Sequence, residues 1–252
     1  MGIDAAYYRN GPDLGIAVGN FATEMTALYV SLGKDLLFTD EAIAAGLGPP
    51  TRRELTFGLF FFDYDLDGRL DLLSANGHVE DEINKVQQSQ QYRQPAHLFW
   101  NAGPDHTSEF WEVPAASCGE DLGQPIVGRG ASYADIDGDG DLDVVLTQIA
   151  GRPLLLRNNL DRKSHYLRFQ LVGRPPNRDA IGGWVELRRG DHVLRREVMP
   201  TRSYLSQVEL PVTFGLGDDD RVAGVTVHWP DGSSQEVPDY RVDGLSVVEQ
   251  RP

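Results

Sequence analysis

Two aspartate-rich segments hold the residues of this sequence whose types and spacing could do chemistry. Each follows the pattern Asp-x-Asp-x-Asp-Gly-x-x-Asp, at residues 63–71 and 135–143. Positions 1, 3 and 5 of such a loop can point carboxylates into one concavity, a backbone carbonyl at position 7 adds an oxygen, and the last aspartate binds directly or through water. The spacing therefore predicts two calcium sites. The predicted side-chain ligands are Asp63, Asp65, Asp67 and Asp71 in the first loop and Asp135, Asp137, Asp139 and Asp143 in the second, with the backbone carbonyls of Arg69 and Asp141.

The remaining loop positions indicate which kind of calcium loop this is. Glycine at position 6, Gly68 or Gly140, permits a sharp turn with positive φ. Position 12 holds Ser74 or Leu146 instead of glutamate, so we expect strands rather than helices beside the loops. Magnesium is less favoured, because it prefers near-octahedral geometry and keeps its waters. A solvated acidic turn would be the better interpretation of one copy, but two copies in one register favour metal sites.

The acidic loops belong to a larger repeating unit. Asp63 and Asp135 lie 72 residues apart, and an apolar strand is predicted before and after each loop, the second being Leu70–Ala75 or Leu142–Ile149. Third strands are predicted at 28–31, 98–101 and 155–158, and fourth strands at 38–41 and 110–113. Four strands in each unit of about 60 to 70 residues are typical of a propeller blade, which buries its faces by stacking on its neighbours.

The repeats divide the first part of the chain into three predicted blades. Residues 1–56 form a degenerate blade without a metal, residues 57–128 a calcium blade, and residues 129–160 a calcium blade that lacks its outer strand. A closed propeller needs roughly four blades or more. We therefore expect further blades from a longer parent chain or from another subunit.

Composition restricts the classes of partner. The formal net charge of -15 argues against nucleic acid, because phosphate binding draws on clustered Lys and Arg, and it favours cations. The sequence has no apolar run near the roughly 20 residues that span a bilayer, so membrane insertion is not expected. Residues 1–10 lack the layout of a signal peptide in the chain as given.

The C-terminal part has a different pattern. Apolar and polar residues alternate in four predicted strands between turns, which predicts a small β-sandwich or barrel. These strands are predicted at 166–172, 184–188, 192–198 and 222–229. Pro153 and residues 158–164 are the expected hinge between the two parts.

Both parts resemble known families. The acidic repeats resemble the FG-GAP or VCBS repeats of integrin-like β-propellers, in which such loops bind calcium for structure. Five segments resemble the ASPIC/UnbV domain that ends CRTAC-like (cartilage acidic protein-like) secreted proteins: 165–169, 177–182, 203–207, 214–217 and 225–232. The resemblance implies an all-β chain, with a partial β-propeller of about three blades over residues 1–160 and an ASPIC/UnbV β-sandwich or barrel over residues 161–252.

The resemblance also implies a function. We expect a non-enzymatic, calcium-binding scaffold or adhesion protein, extracellular or periplasmic, with a protein or glycan ligand. The alternative is an accessory or catalytic role in natural-product biosynthesis of the enediyne type, where UnbV-like genes occur. No catalytic residue is predicted, because neither His-Glu-x-x-His nor Gly-x-Ser-x-Gly occurs.

Three further features have two interpretations each. His78 could be a catalytic base, but a hydrogen bond within its loop is favoured. Arg189-Gly190-Asp191 matches an adhesive tripeptide, yet the same residues suit a hairpin turn, which is favoured. The segment Ser203–Gln207 could present hydroxyls to a ligand, or Tyr204 and Leu205 could be interior anchors.

Overall fold

Strands dominate the computed structural model, which describes residues 1–33, 37–160, 164–190 and 192–251. The helical pieces in these ranges are short: α1 (Gly48–Thr51), α2 (Ile83–Val86) and a 3-10 turn at Ala115–Ser117. Five sheets of three or four strands are formed by the described residues, in a β-propeller arrangement, with one additional two-stranded ribbon. Within the same ranges, no helix has the length and apolar character that crossing a bilayer would require.

The first three sheets are antiparallel and follow the chain in order. Sheet 1 contains β1 (Ile3–Ala6), β2 (Gly15–Val18), β3 (Ala27–Ser31) and β4 (Phe38–Asp40). Sheet 2 contains β5 (Thr56–Phe62), β6 (Asp71–Asn76), β7 (His97–Asn101) and β8 (Phe110–Glu112). Sheet 3 contains β9 (Gly128–Ala134), β10 (Asp143–Gln148) and β11 (Leu154–Leu156).

Sheet 2 is covered on both faces, which explains why β5 is a continuous apolar run rather than an alternating one. Leu59 and Phe61 belong to a core shared with sheet 1, where the ring of Tyr8 stacks on Phe61 at 5.6 Å. Phe60 and Phe62 belong to a second core shared with sheet 3. Each fully buried phenylalanine contributes about 1.5–3 kcal/mol, so stacking of the sheets is a main source of their stability.

The C-terminal residues form two more sheets and the ribbon. One sheet has the order β17-β12-β20 and the other β14-β13-β18-β19, while β15 and β16 form the ribbon. The strands are β12 (His165–Val172), β13 (Trp184–Arg189), β14 (His192–Glu197), β15 (Thr201–Arg202), β16 (Ser206–Gln207), β17 (Val212–Gly217), β18 (Gly224–His228), β19 (Ser234–Glu236) and β20 (Gly244–Glu249). Phe169 and Phe214 from the first sheet and Val185 and Val227 from the second share one core.

The β15–β16 ribbon joins the C-terminal region to the first strands of sheets 1, 2 and 3. Ser203 bridges to Ile3, and its Oγ accepts a hydrogen bond from the backbone N–H of Leu59 at 2.9 Å. Arg202 forms an ion pair with buried Asp4 at 2.8 Å. On sheet 3, the Ser132 hydroxyl donates to the carbonyl of Gln207.

Tyr204 and Leu205, the two possible interior anchors, have different environments in the ribbon. The Tyr204 ring packs edge-on against Phe57 at 4.9 Å, which makes it a packing residue. Leu205 is 89% exposed and is therefore not an interior anchor. The Ser203 hydroxyl contacts sheet 2, whereas the Ser206 hydroxyl donates to the carbonyl of Tyr204 within the same segment.

The all-β class agrees with the sequence prediction, but the number of units agrees only roughly. Five sheets in a propeller arrangement differ from about three blades plus a small sandwich, because the C-terminal region adds two full sheets. Sheet 3 has three strands, and β11 ends at Leu156, two residues before the predicted end of that strand. The division of the chain at residues 160/161 stays a prediction, and part of the expected hinge, residues 161–163, lies outside the described residues.

Candidate metal centre

The first acidic loop connects β5 to β6 by a tight turn. Leu66 and Gly68, at loop positions 4 and 6, have positive φ values of 57° and 94°. A Cβ atom on Gly68 would lie 2.9 Å from the carbonyl oxygen of Gly215, so both φ and space require glycine there. Strands flank the loop, as the missing glutamate at position 12 predicts.

The second acidic loop connects β9 to β10 in the same way. Gly138 and Gly140 occupy loop positions 4 and 6 with φ values of 80° and 100°. A Cβ atom on Gly140 would lie 2.1 Å from the ring of Tyr166. The two loops therefore have positive φ at the same two positions, and each position-6 glycine contacts the C-terminal region.

The first loop brings three buried carboxylates together. Asp63, Asp65 and Asp71 each offer an oxygen, and these oxygens lie within 4.8 Å of one another. Asp63 Oδ2 accepts hydrogen bonds from the backbone N–H groups of Gly68 and Gly215, both at 3.0 Å. Asp63 Oδ1 is buried and has no hydrogen-bond partner among the described residues. A buried carboxylate oxygen of this kind fits a cation ligand.

Burial makes the charge of this cluster unfavourable. It raises the pKa of Asp63 to about 7, against the lowering effect of Arg196 and with added repulsion from Asp67 and Asp65. Burial also raises the pKa of Asp71 well above its usual value, and the charges of Asp65 and Asp63 raise it further. A bound divalent cation would remove most of this penalty, because it sits among the negative charges that cause it.

The second loop groups Asp135, Asp137 and Asp139 within the same distance, but it is more exposed. Two arginines compensate its charge, since Arg157 pairs with Asp137 and Arg168 pairs with Asp135. The loop thus has the same carboxylate spacing as the first one but a partly neutralised charge.

Asp141 adds a buried carboxylate to the second loop. Its Oδ1 has no hydrogen-bond partner in the described part of the chain, while Oδ2 accepts from the Leu160 N–H at 3.1 Å. Burial raises the pKa of Asp141 to about 6; the Leu160 hydrogen bond lowers it and Asp139 raises it. Asp141 was predicted to offer its backbone carbonyl, and its side chain is not a member of the group of three carboxylates in this loop.

The aspartates at position 9 have a second role. Asp71 accepts hydrogen bonds from the backbone N–H groups of Tyr64 (3.0 Å) and Asn101 (2.8 Å). Asp143 accepts from the equivalent groups of Ile136 (3.1 Å) and Asn158 (2.8 Å). Each therefore ties its loop to the end of the third strand. Asp71 also belongs to the three-carboxylate group of its loop, whereas Asp143 is not a member of the second group.

The other predicted ligands have different surroundings. Asp67 is not a member of the first group, and its carboxylate pairs with Arg69 at 2.5 Å and accepts the Arg69 N–H at 2.7 Å. The backbone carbonyls of Arg69 and Asp141 stay predictions as ligands.

Sequence reasoning missed the asparagines that connect neighbouring sheets. Asn101 Nδ2 donates to the carbonyl of Tyr8 at 3.1 Å, and Asn158 Nδ2 donates to the carbonyl of Tyr64 at 2.7 Å. In both cases the acceptor lies in the loop of the preceding unit. The sequence contains a signal for this role, because an asparagine occupies the last position of the predicted third strand in both units, at Asn101 and Asn158.

The C-terminal region contacts both acidic loops, which the loop pattern alone could not indicate. Arg196 donates to the carbonyl of Gly68 at 3.1 Å, and Gly217 N–H donates to the carbonyl of Leu66 at 2.8 Å. At the second loop, Arg168 pairs with both Asp135 and Glu209, the latter at 2.5 Å. These contacts join residues more than 30 positions apart.

His78 and the Arg-Gly-Asp turn lie away from the acidic loops in sequence. His78 is buried, and its Nδ1 accepts a hydrogen bond from the backbone N–H of Glu80 at 3.0 Å. This geometry supports the loop role over catalysis. In the turn, Gly190 has a φ of 56°, which suits a hairpin, and Asp191 lies outside the described residues.

Comparison with known families gives two matches along the chain. The model of the FG-GAP-like repeat matches residues 63–146, which contain both acidic loops. The model described as ASPIC and UnbV matches residues 173–252. A search of curated proteins found no match.

Proposed function

We propose that this chain, which has the FG-GAP-like and ASPIC/UnbV architecture of CRTAC-like proteins, is a non-enzymatic binding or adhesion scaffold that calcium stabilises. The observation that carries the proposal is the first acidic loop, where three buried carboxylates converge and Asp63 Oδ1 has no hydrogen-bond partner in the described ranges. Only hard oxygen donors meet there, and calcium prefers such donors.

Calcium in this proposal is structural. Asp63, Asp65 and Asp71 would hold one ion, and Asp135, Asp137 and Asp139 would hold a second. Each loop connects the first two strands of a sheet and also contacts the C-terminal region, so an ion would stabilise both the hairpin and that contact. A ligand that binds only the folded state at 100 times its Kd stabilises that state by about 2.7 kcal/mol.

The proposal also assigns the five sheets to two structural units. Sheets 1 to 3 would be the blades within residues 1–160, and the two C-terminal sheets would form a sandwich within residues 161–252. The core that these two sheets share supports the sandwich. The contacts of the β15–β16 ribbon with β1, β5 and β9 support a cap on the inner strands.

The proposed setting is extracellular or periplasmic, and the proposed ligand is a protein or glycan. FG-GAP repeats typically occur in extracellular proteins, which supports the location. The formal net charge of -15 argues against nucleic-acid recognition and is compatible with the proposed binding role.

Calcium titration tests this function directly. Chelated protein should gain Tm when calcium is added, by about 5–10 °C if calcium stabilises it by about 2.7 kcal/mol, since 1 kcal/mol corresponds to about 2–4 °C at this size. Magnesium should have a smaller effect. Differential scanning calorimetry with and without chelator provides the measurement.

Variants in each loop test whether the calcium-dependent rise in Tm comes from the two acidic loops. Asp65→Ala and Asp137→Ala should each remove part of the calcium-dependent shift, and the double variant should remove all of it. Asp239→Ala, which changes an exposed aspartate outside the loops, should keep the full shift. A wild-type Tm that does not change in millimolar calcium would overturn the proposal.

A further inference from the structure

A cavity of about 370 Å³ lies between the propeller sheets and the C-terminal region. Its walls come from both sides: Phe62 of β5 and Leu142 beside β10 face Val208, which follows the β15–β16 ribbon, and Val212 of β17. A cavity of this size falls within the range of small-molecule sites, which bury most of a ligand between apolar walls.

Three arginines also line this cavity, and each has an unsatisfied donor. The Nε atoms of Arg195, Arg196 and Arg202 are buried and have no hydrogen-bond partner among the described residues. Buried N–H groups without a partner are uncommon in folded proteins and call for a ligand or ordered water. Arg195 Nε lies 3.7 Å from a carboxylate oxygen of Glu186, so the Nε atoms of Arg196 and Arg202 are the two that indicate a missing acceptor.

Arg196 is the most distinctive of the three. Only 8% of this residue is exposed, and its guanidinium donates to two neutral carbonyls, Gly68 O at 3.1 Å and Arg195 O at 3.0 Å. In the described part of the chain, no carboxylate forms an ion pair with it within 4.0 Å. Its planar guanidinium also lies 5.3 Å from the Phe214 ring centroid. Buried arginines are usually paired with an anion, so this one is available to a ligand.

Three carboxylates also line the cavity, and two of them, Asp63 and Glu197, form no ion pair within 4.0 Å among the described residues. Arg202 pairs with Asp4 at 2.8 Å, and Glu209 pairs with Arg168 at 2.5 Å. Arg195 has a long ion pair with Glu186 at 3.7 Å. Arg196 is therefore the arginine of the cavity wall that forms no ion pair among the described residues, and it lies beside apolar walls. This combination suits an anion with an apolar body better than a cation or a sugar.

We propose that this cavity binds a small organic carboxylate whose apolar body packs between the propeller sheets and the C-terminal region. The carboxylate accepts hydrogen bonds from Arg196 and from the Nε atom of Arg202. Its apolar part contacts Phe62, Leu142 and Val208. Binding of this ligand does not require a bound calcium ion.

The cavity is nevertheless linked to the first acidic loop through Asp63, which lines the cavity wall and belongs to the carboxylate cluster. A divalent ion among these carboxylates would reduce the negative potential beside Arg196. The carboxylate ligand should therefore bind more tightly when calcium is present, and by linkage it should raise the calcium affinity by the same factor.

A matched pair of probes tests the proposal. Isothermal titration calorimetry should show that 1-naphthoate binds with a stoichiometry of one, whereas 1-naphthamide, which has the same shape but no charge, binds at least tenfold more weakly. Arg196→Met should weaken 1-naphthoate at least tenfold and leave the amide unchanged. Arg221→Met, which changes an exposed arginine outside the cavity, should bind like the wild type.

A second variant keeps the test decisive if Arg196→Met does not fold. Val208→Phe should fill the cavity and weaken both probes. Absence of 1-naphthoate binding to the wild type at millimolar concentration would overturn the proposal. Equal affinity for the acid and the amide would also overturn it, because it would show that the arginines do not recognise the carboxylate. Chelated and calcium-loaded samples are titrated separately, so failure of the calcium function and failure of this site give different results.

Discussion

The two acidic loops have the same spacing and the same positive-φ positions, yet their surroundings differ. In the first loop the three grouped carboxylates are buried, whereas in the second Asp137 and Asp139 are exposed. The second loop is partly neutralised by Arg157 and Arg168. The backbone pattern thus defines where oxygens can converge, while the tertiary environment decides how strongly a cation is needed.

This difference predicts unequal dependence on calcium. Buried carboxylates that repel one another are costly until a cation joins them, so the first loop should be the stronger and more stabilising site. The second loop offers calcium a weaker site, because an incoming ion competes with two guanidinium groups.

The pH dependence of calcium-free protein should give the largest contrast. The pKa of Asp63 is about 7 in the folded state against 3.8 as its ordinary value, so the folded protein binds more protons between these limits. Stability from this group is therefore full at low pH and is lost as pH rises from about 4 to above 7, on the order of a few kcal/mol. Urea unfolding in chelator across pH 5–8 measures this slope.

Variants of the two loops separate the source of that slope. Asp63→Asn should flatten the fall in stability between pH 5 and pH 8. Asp141→Asn should change the slope less, because the pKa of Asp141 is raised only to about 6. If both variants alter the slope equally, the proposed difference between the loops is wrong.

The position-9 aspartates provide the next comparison. In calcium, Asp71→Ala removes a grouped carboxylate and leaves the N–H groups of Tyr64 and Asn101 without their acceptor. We expect a loss of about 3 kcal/mol in the free energy of unfolding. Asp143→Ala removes two equivalent hydrogen bonds but no grouped carboxylate, so about 2 kcal/mol is expected.

Urea unfolding in millimolar calcium measures both losses, with Asp239→Ala as the exposed control. The calcium-induced Tm shift should fall further for Asp71→Ala than for Asp143→Ala. Equal calcium shifts in the two variants would argue that position 9 has the same role in both loops.

Local features of the molecule could be predicted from sequence because they depend on neighbouring residues. The flanking strands and the positive φ of Gly68 follow from a pattern of nine residues. The apolar run of β5 predicts a buried strand. The recurring Asn101 and Asn158 could have been identified as connections between sheets from the same register.

Features that depend on distant residues could not be predicted. Arg196 reaches Gly68 across 128 positions, and Gly215 donates to Asp63 across 152 positions. Nothing in the composition of the C-terminal strands indicates which loop they contact, because that depends on how whole sheets pack. For the same reason, the sequence did not indicate that the C-terminal region contacts both acidic loops.

The smallest expected effect comes from competition between Arg157 and calcium for Asp137 in the second loop. Arg157 is mostly exposed, with 59% of its side chain accessible, and it pairs with Asp137. An exposed pair contributes about 0.2–1 kcal/mol, so Arg157→Met should tighten calcium binding at the second loop by up to about fivefold. Competition with a chromogenic chelator in an Asp65→Ala background isolates that loop. Arg152→Met, which changes another exposed arginine nearby, should leave the calcium affinity unchanged. Weaker calcium binding by Arg157→Met would mean that Arg157 supports the loop instead of competing with the ion.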